Sequence, residues 1–393
     1  MSNNSTLRIG VIGAGGRGKL SYHSHSPEIG SRIVAACDTD PRPLAEYREK
    51  FGADIFTTAD YRELLARPDV DAVFVTTPDY LHEEQAIAAL SAGKHVYLEK
   101  PMAITLAGCD RILQAARDHR RRLYLGHNMR HMTFVLKMKE LIDAGAIGEV
   151  KVAWCRHFIS YGGDAYFKDW HAERRLGTGL LLQKGAHDID VLHWLCGGYT
   201  RRVVAQGALS LYDRISDRHD PSERGDASWH KENWPPLTQK QLNPVIDVED
   251  VSNVLMQLDN GVLATYQQCH YTPDAWRNYT VIGTEGRIEN FNDGPGGVIK
   301  LWNSRGYYKP DGDQEFPIPQ VEGGHGGADP NIVREFVRFA RDGGKVLTSP
   351  IAARNSVAAG YLATESLRDN GTPRDVPPLA ADLIEYFEGE ALL

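Results

Sequence analysis

Three short stretches of this 393-residue chain carry residue types that chemistry can use. The first, Gly13-Ala14-Gly15-Gly16-Arg17-Gly18, has GxGxxG spacing. In that pattern Gly13 permits a tight turn, Gly15 lets the backbone approach a pyrophosphate, and Gly18 lets a helix pack closely on a strand. With Gly16 and Arg17 they form a turn from which a helix offers N–H donors and partial positive charge to phosphate. Asp38 lies 20 residues beyond Gly18, at the end of the next expected strand, where a carboxylate accepts hydrogen bonds from ribose hydroxyls. A carboxylate there repels a 2′-phosphate, so NAD is the expected cofactor. Arg42 nearby leaves NADP open.

The second stretch is Glu99-Lys100-Pro101 and the third runs from Gln183 and Lys184 through His187 and Asp188 to Asp190. Oxidising a secondary alcohol needs a base for the hydroxyl proton as hydride leaves. Histidine titrates near neutrality, and lysine is brought there by burial and neighbouring positive charge. Pro101 restricts Lys100 to extended backbone. Strand alternation would turn only one of Gln183 and Lys184 inward. An inward Lys184 suits an anionic substrate group such as a carboxylate or sulfonate. An outward one is solvated. A metal is not expected: His187 and His193 fall about 240° apart round a helix axis and do not converge.

These residues need elements to position them. Residues 7–12, 33–37, 72–76, 95–98 and 123–125 read as strands alternating with helices at 41–51, 59–66, 80–92 and 106–119, the pattern of a parallel sheet covered on both faces. Beyond about residue 128 the rhythm changes to longer strands at 150–158, 202–210, 251–258 and 262–271. The last two are joined by Asp259-Asn260-Gly261, a strong hairpin signal. Helices are expected at 131–144, 187–196, 331–341 and 351–369. The expected organisation is α/β: a doubly wound parallel sheet over 1–127, then an α+β domain over 128–393 with a large, mostly antiparallel open sheet. Residues 212–247 and 293–329 read as irregular insertions, the first with Trp229 and Trp234.

Composition narrows the classes. The net charge is −8, which argues against a nucleic-acid partner, since phosphate binding needs a basic footprint. The five cysteines are scattered and form no CxxC pair, which points to a reducing compartment. The polar start, without an apolar leader or an 18-residue apolar run, points to a soluble cytoplasmic chain and no membrane partner. Glycine is enriched, 38 residues in all, with one cluster at the 13–18 turn and another at 323–327.

Together, the glycine motif, Glu99-Lys100-Pro101 and the 184–190 segment make the chain resemble the glucose–fructose oxidoreductase/inositol dehydrogenase/MocA family. Thr76-Thr77-Pro78 with His82 follows the third major strand, and Gly145-Ala146-Ile147-Gly148-Glu149-Val150 resembles that family's entry into its second domain. The resemblance implies a Rossmann domain followed by an α/β domain whose open sheet mediates homodimers or homotetramers. It implies that Lys100 and His187 are the catalytic pair flanking a sugar or cyclitol near the nicotinamide. Thr76, Thr77, Pro78, His82, Glu99, Lys100 and Asn128 join the cofactor side. Arg130, Tyr161, Trp170, Arg174, Gln183, Lys184, His187 and His325 are the substrate-side candidates, Asp190 either orienting substrate or capping its helix. Many members carry Asp four residues before the histidine; Gln183 here cannot accept a proton at neutral pH. The expected activity is NAD-dependent hydride transfer from a secondary hydroxyl of a sugar, sugar acid or cyclitol. An NAD-dependent glycoside hydrolase working by transient oxidation is the alternative, and a cofactor-bound sensor without turnover is a third.

Overall fold

The computed structural model describes residues 6–223 and 225–389. The polar start at 1–5 lies outside them. The chain forms two compact units: Met1–His131 with Glu322–Arg354 and Pro378–Leu393, and Met132–Val321 with Asn355–Pro377.

The first unit contains a six-stranded sheet of β1 (Leu7–Ile12), β2 (Ser31–Cys37), β3 (Phe56–Thr58), β4 (Ala72–Val75), β5 (His95–Leu98) and β6 (Leu123–Leu125), ordered β3-β2-β1-β4-β5-β6. Every pairing is parallel. The strand order reverses between β1 and β4, and in such sheets ligands bind beyond the strand ends at that point. The glycine cluster lies there. Between β2 and β3, the helix Pro41–Phe51 begins with proline, and its N-cap Asp40 accepts from Arg42 N at 2.9 Å. The segment after the glycine turn departs from expectation: Gly16–Ser24 is a 3-10 run rather than an α-helix. Two glycines in its first three positions weaken α-helix propagation.

The helix Ala328–Asp342 belongs to this unit, although sequence position groups it with the second domain. Its Ile332, Val333, Phe336, Val337 and Ala340 recur on one face and join the buried cluster with Ile9, Val11 and Phe74. The Phe336 ring meets Phe74 at 5.0 Å and Tyr97 at 5.5 Å, both edge-on. The chain therefore does not divide at a single cut.

The second unit holds a nine-stranded sheet of β7 (Val150–Phe158), β8 (Thr200–Ala208), β9 (Val251–Leu258), β10 (Leu263–Cys269), β11 (Trp276–Gly283), β12 (Arg287–Phe291), β13 (Val298–Trp302), β14 (Gln314–Pro317) and β15 (Arg374–Asp375). Its order is β14-β13-β12-β11-β7-β10-β9-β8-β15. All pairs are antiparallel except β7 with β10. The Asp259-Asn260-Gly261 turn joins β9 and β10 as a hairpin, with Leu258 N donating to Val262 O at 2.9 Å. β13 and β14 lie inside the stretch expected to be irregular. Among the described residues of 212–247 there is no strand or α-helix, but short 3-10 turns and an isolated bridge between Arg218 and Leu242, and Trp229 and Trp234 are exposed. Among the described residues no helix is long and apolar enough to cross a membrane.

A further correction concerns 181–196. Leu181–Gly185 is a π-helical turn running directly into the α-helix Ala186–Cys196. Gln183 and Lys184 therefore do not alternate as in a strand; both are buried.

Phe336→Ala should lower the unfolding free energy by about 3–5 kcal/mol, the usual range for a buried phenylalanine. Denaturant titration reads this, and a loss below about 1 kcal/mol would show that the helix is not integral to the first unit's core.

Candidate functional site

In the first unit the glycine turn closes tightly where backbones pack. Gly13 has φ +86°, and a Cβ there would lie 2.8 Å from Thr77 N; a Cβ on Gly18 would lie 2.1 Å from Gly13 O. By contrast nothing lies within 4 Å of a Cβ on Gly16. Asp38 Oδ2 accepts from Gly15 N and its Oδ1 accepts from Asp40 N, both at 2.9 Å. A carboxylate keeps further lone pairs for a ribose hydroxyl. The glycine backbone, its open side at Gly16 and the fixed Asp38 fit a dinucleotide. Arg42 pairs with Asp40 and is otherwise exposed.

Arg17 sits differently from its expected phosphate-side role. Its Nε donates to Glu99 Oε1 at 2.6 Å, and Nη1 and Nη2 donate to Asp329 at 3.0 and 3.1 Å. Asn128 Nδ2 also donates to Asp329, at 3.0 Å, and His325 Nδ1 lies 2.9 Å from its other oxygen. Burial alone would raise the Asp329 pKa, but bonds from His325 and Arg17 hold it well below the usual carboxylate range. Glu99 is fully buried; Arg17 and Lys100 outweigh its desolvation and keep it ionised. Its Oε2 accepts from Lys100 N at 2.8 Å. The Lys100–Pro101 bond is cis.

His82 is fully buried, with Nδ1 2.7 Å from Pro101 O and Nε2 2.9 Å from Thr77 O. It therefore links two loops rather than facing a ligand. Thr76 Oγ1 donates to Gly13 O at 2.8 Å, Thr77 Oγ1 to Gln85 at 2.6 Å, and Pro78 O accepts from Leu81 N at 2.9 Å. Arg130, expected on the substrate side, is buried and donates to Leu347 O at 2.7 Å.

In the second unit, Asp188 is the centre of a buried network. Its Oδ1 accepts from Tyr279 Oη at 2.6 Å and Arg277 Nε at 2.8 Å; its Oδ2 meets His157 Nδ1 at 2.8 Å and Tyr266 Oη at 2.9 Å. These partners come from β7, β10 and β11, so one carboxylate fixes the helix Ala186–Cys196 to three strands. Burial would raise the Asp188 pKa, but His157 and Arg277 together push it well below the carboxylate range. Burial and Arg277 push His157 down to about 3 against the pull of Asp188. Arg277 already supplies the positive partner, so His157 is neutral and its Nδ1–H donates.

The Lys184 ammonium lies 5.6 Å from the Tyr161 ring centroid and 5.5 Å from that of Tyr166. Burial disfavours its charge, but the two tyrosines outweigh burial and its pKa stays raised. The π turn brings it there, and Gly185 must be small: a Cβ would lie 2.9 Å from the Tyr266 ring. Gln183 and His187 are buried on the same helical run, as is Asp190. Trp170 stacks on His171 at 3.7 Å, and Arg174 is tied to Glu249 at 3.2 Å and to Asp247 O. Among the described residues no group of three or more His, Cys, Asp or Glu is arranged to hold a metal.

Residue types alone did not single out Asp329, His157, Arg277 or Tyr166. Strand alternation over β7 was the available signal for His157, since Ala153, Cys155 and His157 share the buried face.

A glycine turn at a sheet's switch point, an acid closing the next strand and a second unit rich in buried polar groups define a two-domain dinucleotide-binding protein. Residues 7–127 match the model described as an oxidoreductase family with an NAD-binding Rossmann fold, and 135–289 match the GFO/IDH/MocA C-terminal domain. The chain belongs to the Gfo/Idh/MocA family of NAD-binding oxidoreductases. It is 31% identical over 274 residues to 1-carboxy-3-chloro-3,4-dihydroxycyclohexa-1,5-diene dehydrogenase of Comamonas testosteroni, covering 68% of this chain and 60% of that one. Over 202 residues it is 36% identical to inositol 2-dehydrogenase of Burkholderia ambifaria (strain MC40-6), covering 51% and 57%. The chain thus spans about three fifths of these two relatives. Its fold is like that of a levoglucosan dehydrogenase in complex with NADH and levoglucosan, with a TM-score of 0.76, 22% identity, and coverage of 95% of this chain and 100% of that one.

The His157 shift gives a pH dependence with a definite sign. The unfolded chain binds this proton near the ordinary value of 6.5 and the folded one only near 3, so stability falls as pH drops through that window. Asp188, held low, keeps its stabilisation until pH falls below about 4. Between pH 6.5 and about 4, the Tm of His157→Gln, whose amide still donates to Asp188, should fall less steeply than that of the wild type. Parallel Tm profiles would contradict a neutral buried His157.

Proposed function

We propose that the protein is an NAD-dependent oxidoreductase that moves a hydride between the nicotinamide and a secondary hydroxyl of a sugar, sugar acid or cyclitol. The carrying observation lies in the first unit: Glu99 accepts both from Arg17 of the glycine turn and from Lys100 N. One buried carboxylate therefore sets Lys100 against the dinucleotide turn. The names of the relatives, dehydrogenases of inositol and of a carboxylated dihydroxy ring, support this substrate class.

When bound, NAD supplies the hydride acceptor, and the protein's task is orientation and proton transfer. Asp38 selects the adenosine end and disfavours a 2′-phosphate. Lys100, held by Glu99 on one side and by the His82–Pro101 bond on the other, takes the hydroxyl proton at Nζ. His187 is the second proton-handling group. Gln183 carries no proton at neutral pH, so a carboxylate relay at that position plays no part. Exposed Leu255 and Leu263 on neighbouring strands support a second copy of the chain seated on the large sheet. Sedimentation checks this, and a monomer at micromolar concentration contradicts it.

Incubation with NAD and a panel of free sugars, sugar acids, cyclitols and aryl glycosides should give net NADH without aglycone release. Lys100→Met should lower kcat/KM by at least about 100-fold, as expected for a lost acid–base group. Aglycone release without net NADH would instead assign the redox-assisted hydrolase, and an unchanged Lys100→Met would remove this lysine from the chemistry.

A further inference from the structure

At one place in the second unit a buried positive charge lies near a buried imidazole that has no hydrogen-bond partner among the described residues. Lys184 is more than nine-tenths buried and its ammonium meets the phenols of Tyr161 and Tyr166, with no carboxylate within ion-pair distance among the described residues. His270, in the turn directly after β10, is fully buried, and neither ring nitrogen is hydrogen-bonded among the described residues. Its ring meets Tyr166 edge-on at 5.3 Å. Burial, then His157, then Lys184 hold its pKa well below the ordinary value, which places the imidazole near both. Gln268, also buried, meets Tyr266 Oη at 3.1 Å; that hydroxyl's one proton goes to Asp188, so the Gln268 amide donates there.

A buried ammonium without a counter-ion beside a buried imidazole without a partner is costly unless a ligand completes them. The nearby carboxylates cannot. Asp188 is saturated by four donors, and Asp293 is held by Arg277 Nη1 at 3.1 Å. Tyr161 is half-buried at the edge of the cluster, so it has an open side.

We propose that this cluster of Lys184, Tyr161 and His270 binds a carboxylate group of the substrate, making the preferred substrate a sugar acid rather than a neutral polyol. This deepens the function proposed above and rests on it. A carboxylate supplies one charge and several lone pairs, which matches one ammonium with neighbouring neutral donors. A phosphate dianion brings a second negative charge, and the neighbouring Arg277 is already engaged by Asp188 and Asp293.

The test compares D-gluconate with D-sorbitol, which differ at the carboxylate. Calorimetric titration of the full chain, with and without NAD, should show gluconate binding about 10- to 100-fold more tightly, the range of one or two charge-assisted hydrogen bonds. Lys184→Met should abolish the preference and Lys184→Arg should retain most of it. Should the methionine variant not fold, as judged by circular dichroism, Lys184→Gln serves in its place. Equal binding of the two probes by the wild type would overturn the proposal, as would a preference that survives loss of the charge in a folded variant. A gluconate preference without NADH formation from any alcohol would refute the oxidoreductase reading while supporting the anion site. NADH formation confined to neutral polyols would do the reverse.

Discussion

The second unit depends on one buried carboxylate. Asp188 accepts from a guanidinium, two phenols and a neutral imidazole carried by three strands, and so sets the rotation and depth of the helix that bears it. In a low-dielectric interior such a group is favourable only when its lone pairs are filled, and removing any partner leaves a charge that burial penalises heavily. The positions of Gln183, Lys184 and His187 follow from it, because they lie on the same helical run. Lys184 is left with the phenols of Tyr161 and Tyr166 in place of a counter-ion, since Asp188, four residues on, is filled by its own four donors.

The first unit uses the same device. Arg17 joins the glycine turn to Glu99 on the strand-end loop and to Asp329 at the start of a helix more than three hundred residues later. Lys100 is held by the same Glu99. The glycine turn, Lys100 and the 323–329 loop are thus mechanically one assembly. The arginine inside the glycine motif serves to hold that assembly together.

Much of this was legible before the structure. The glycine spacing with Asp38, the alternation of buried strands and helices, and the Asn260-Gly261 hairpin each carry a local signal strong enough to stand alone. Where expectation failed, the signal was absent or shared. Gln183 and Lys184 read as alternating strand residues because a helical run buried on nearly every face shows no amphipathic period. β13 and β14 are short and flanked by glycine and proline, so their alternation is brief. The helix Ala328–Asp342 has a clear apolar face, but periodicity says only that the face is covered, not by which sheet. The Arg17–Asp329 and Asp188–Arg277 pairs are tertiary, and one sequence records the charges without their partners.

The central claim is that the protein's own proton-handling groups work beside a nicotinamide that accepts hydride from a substrate carbon. Deuterium tracing tests it most directly. Gluconate and myo-inositol deuterated at every carbon-bound position are incubated with NAD and the full chain, and the nicotinamide is recovered for mass spectrometry. The account predicts that reduced nicotinamide accumulates with one deuterium per molecule of ketone formed from the substrate it oxidises. Consumption of either compound with unlabelled nicotinamide would contradict it.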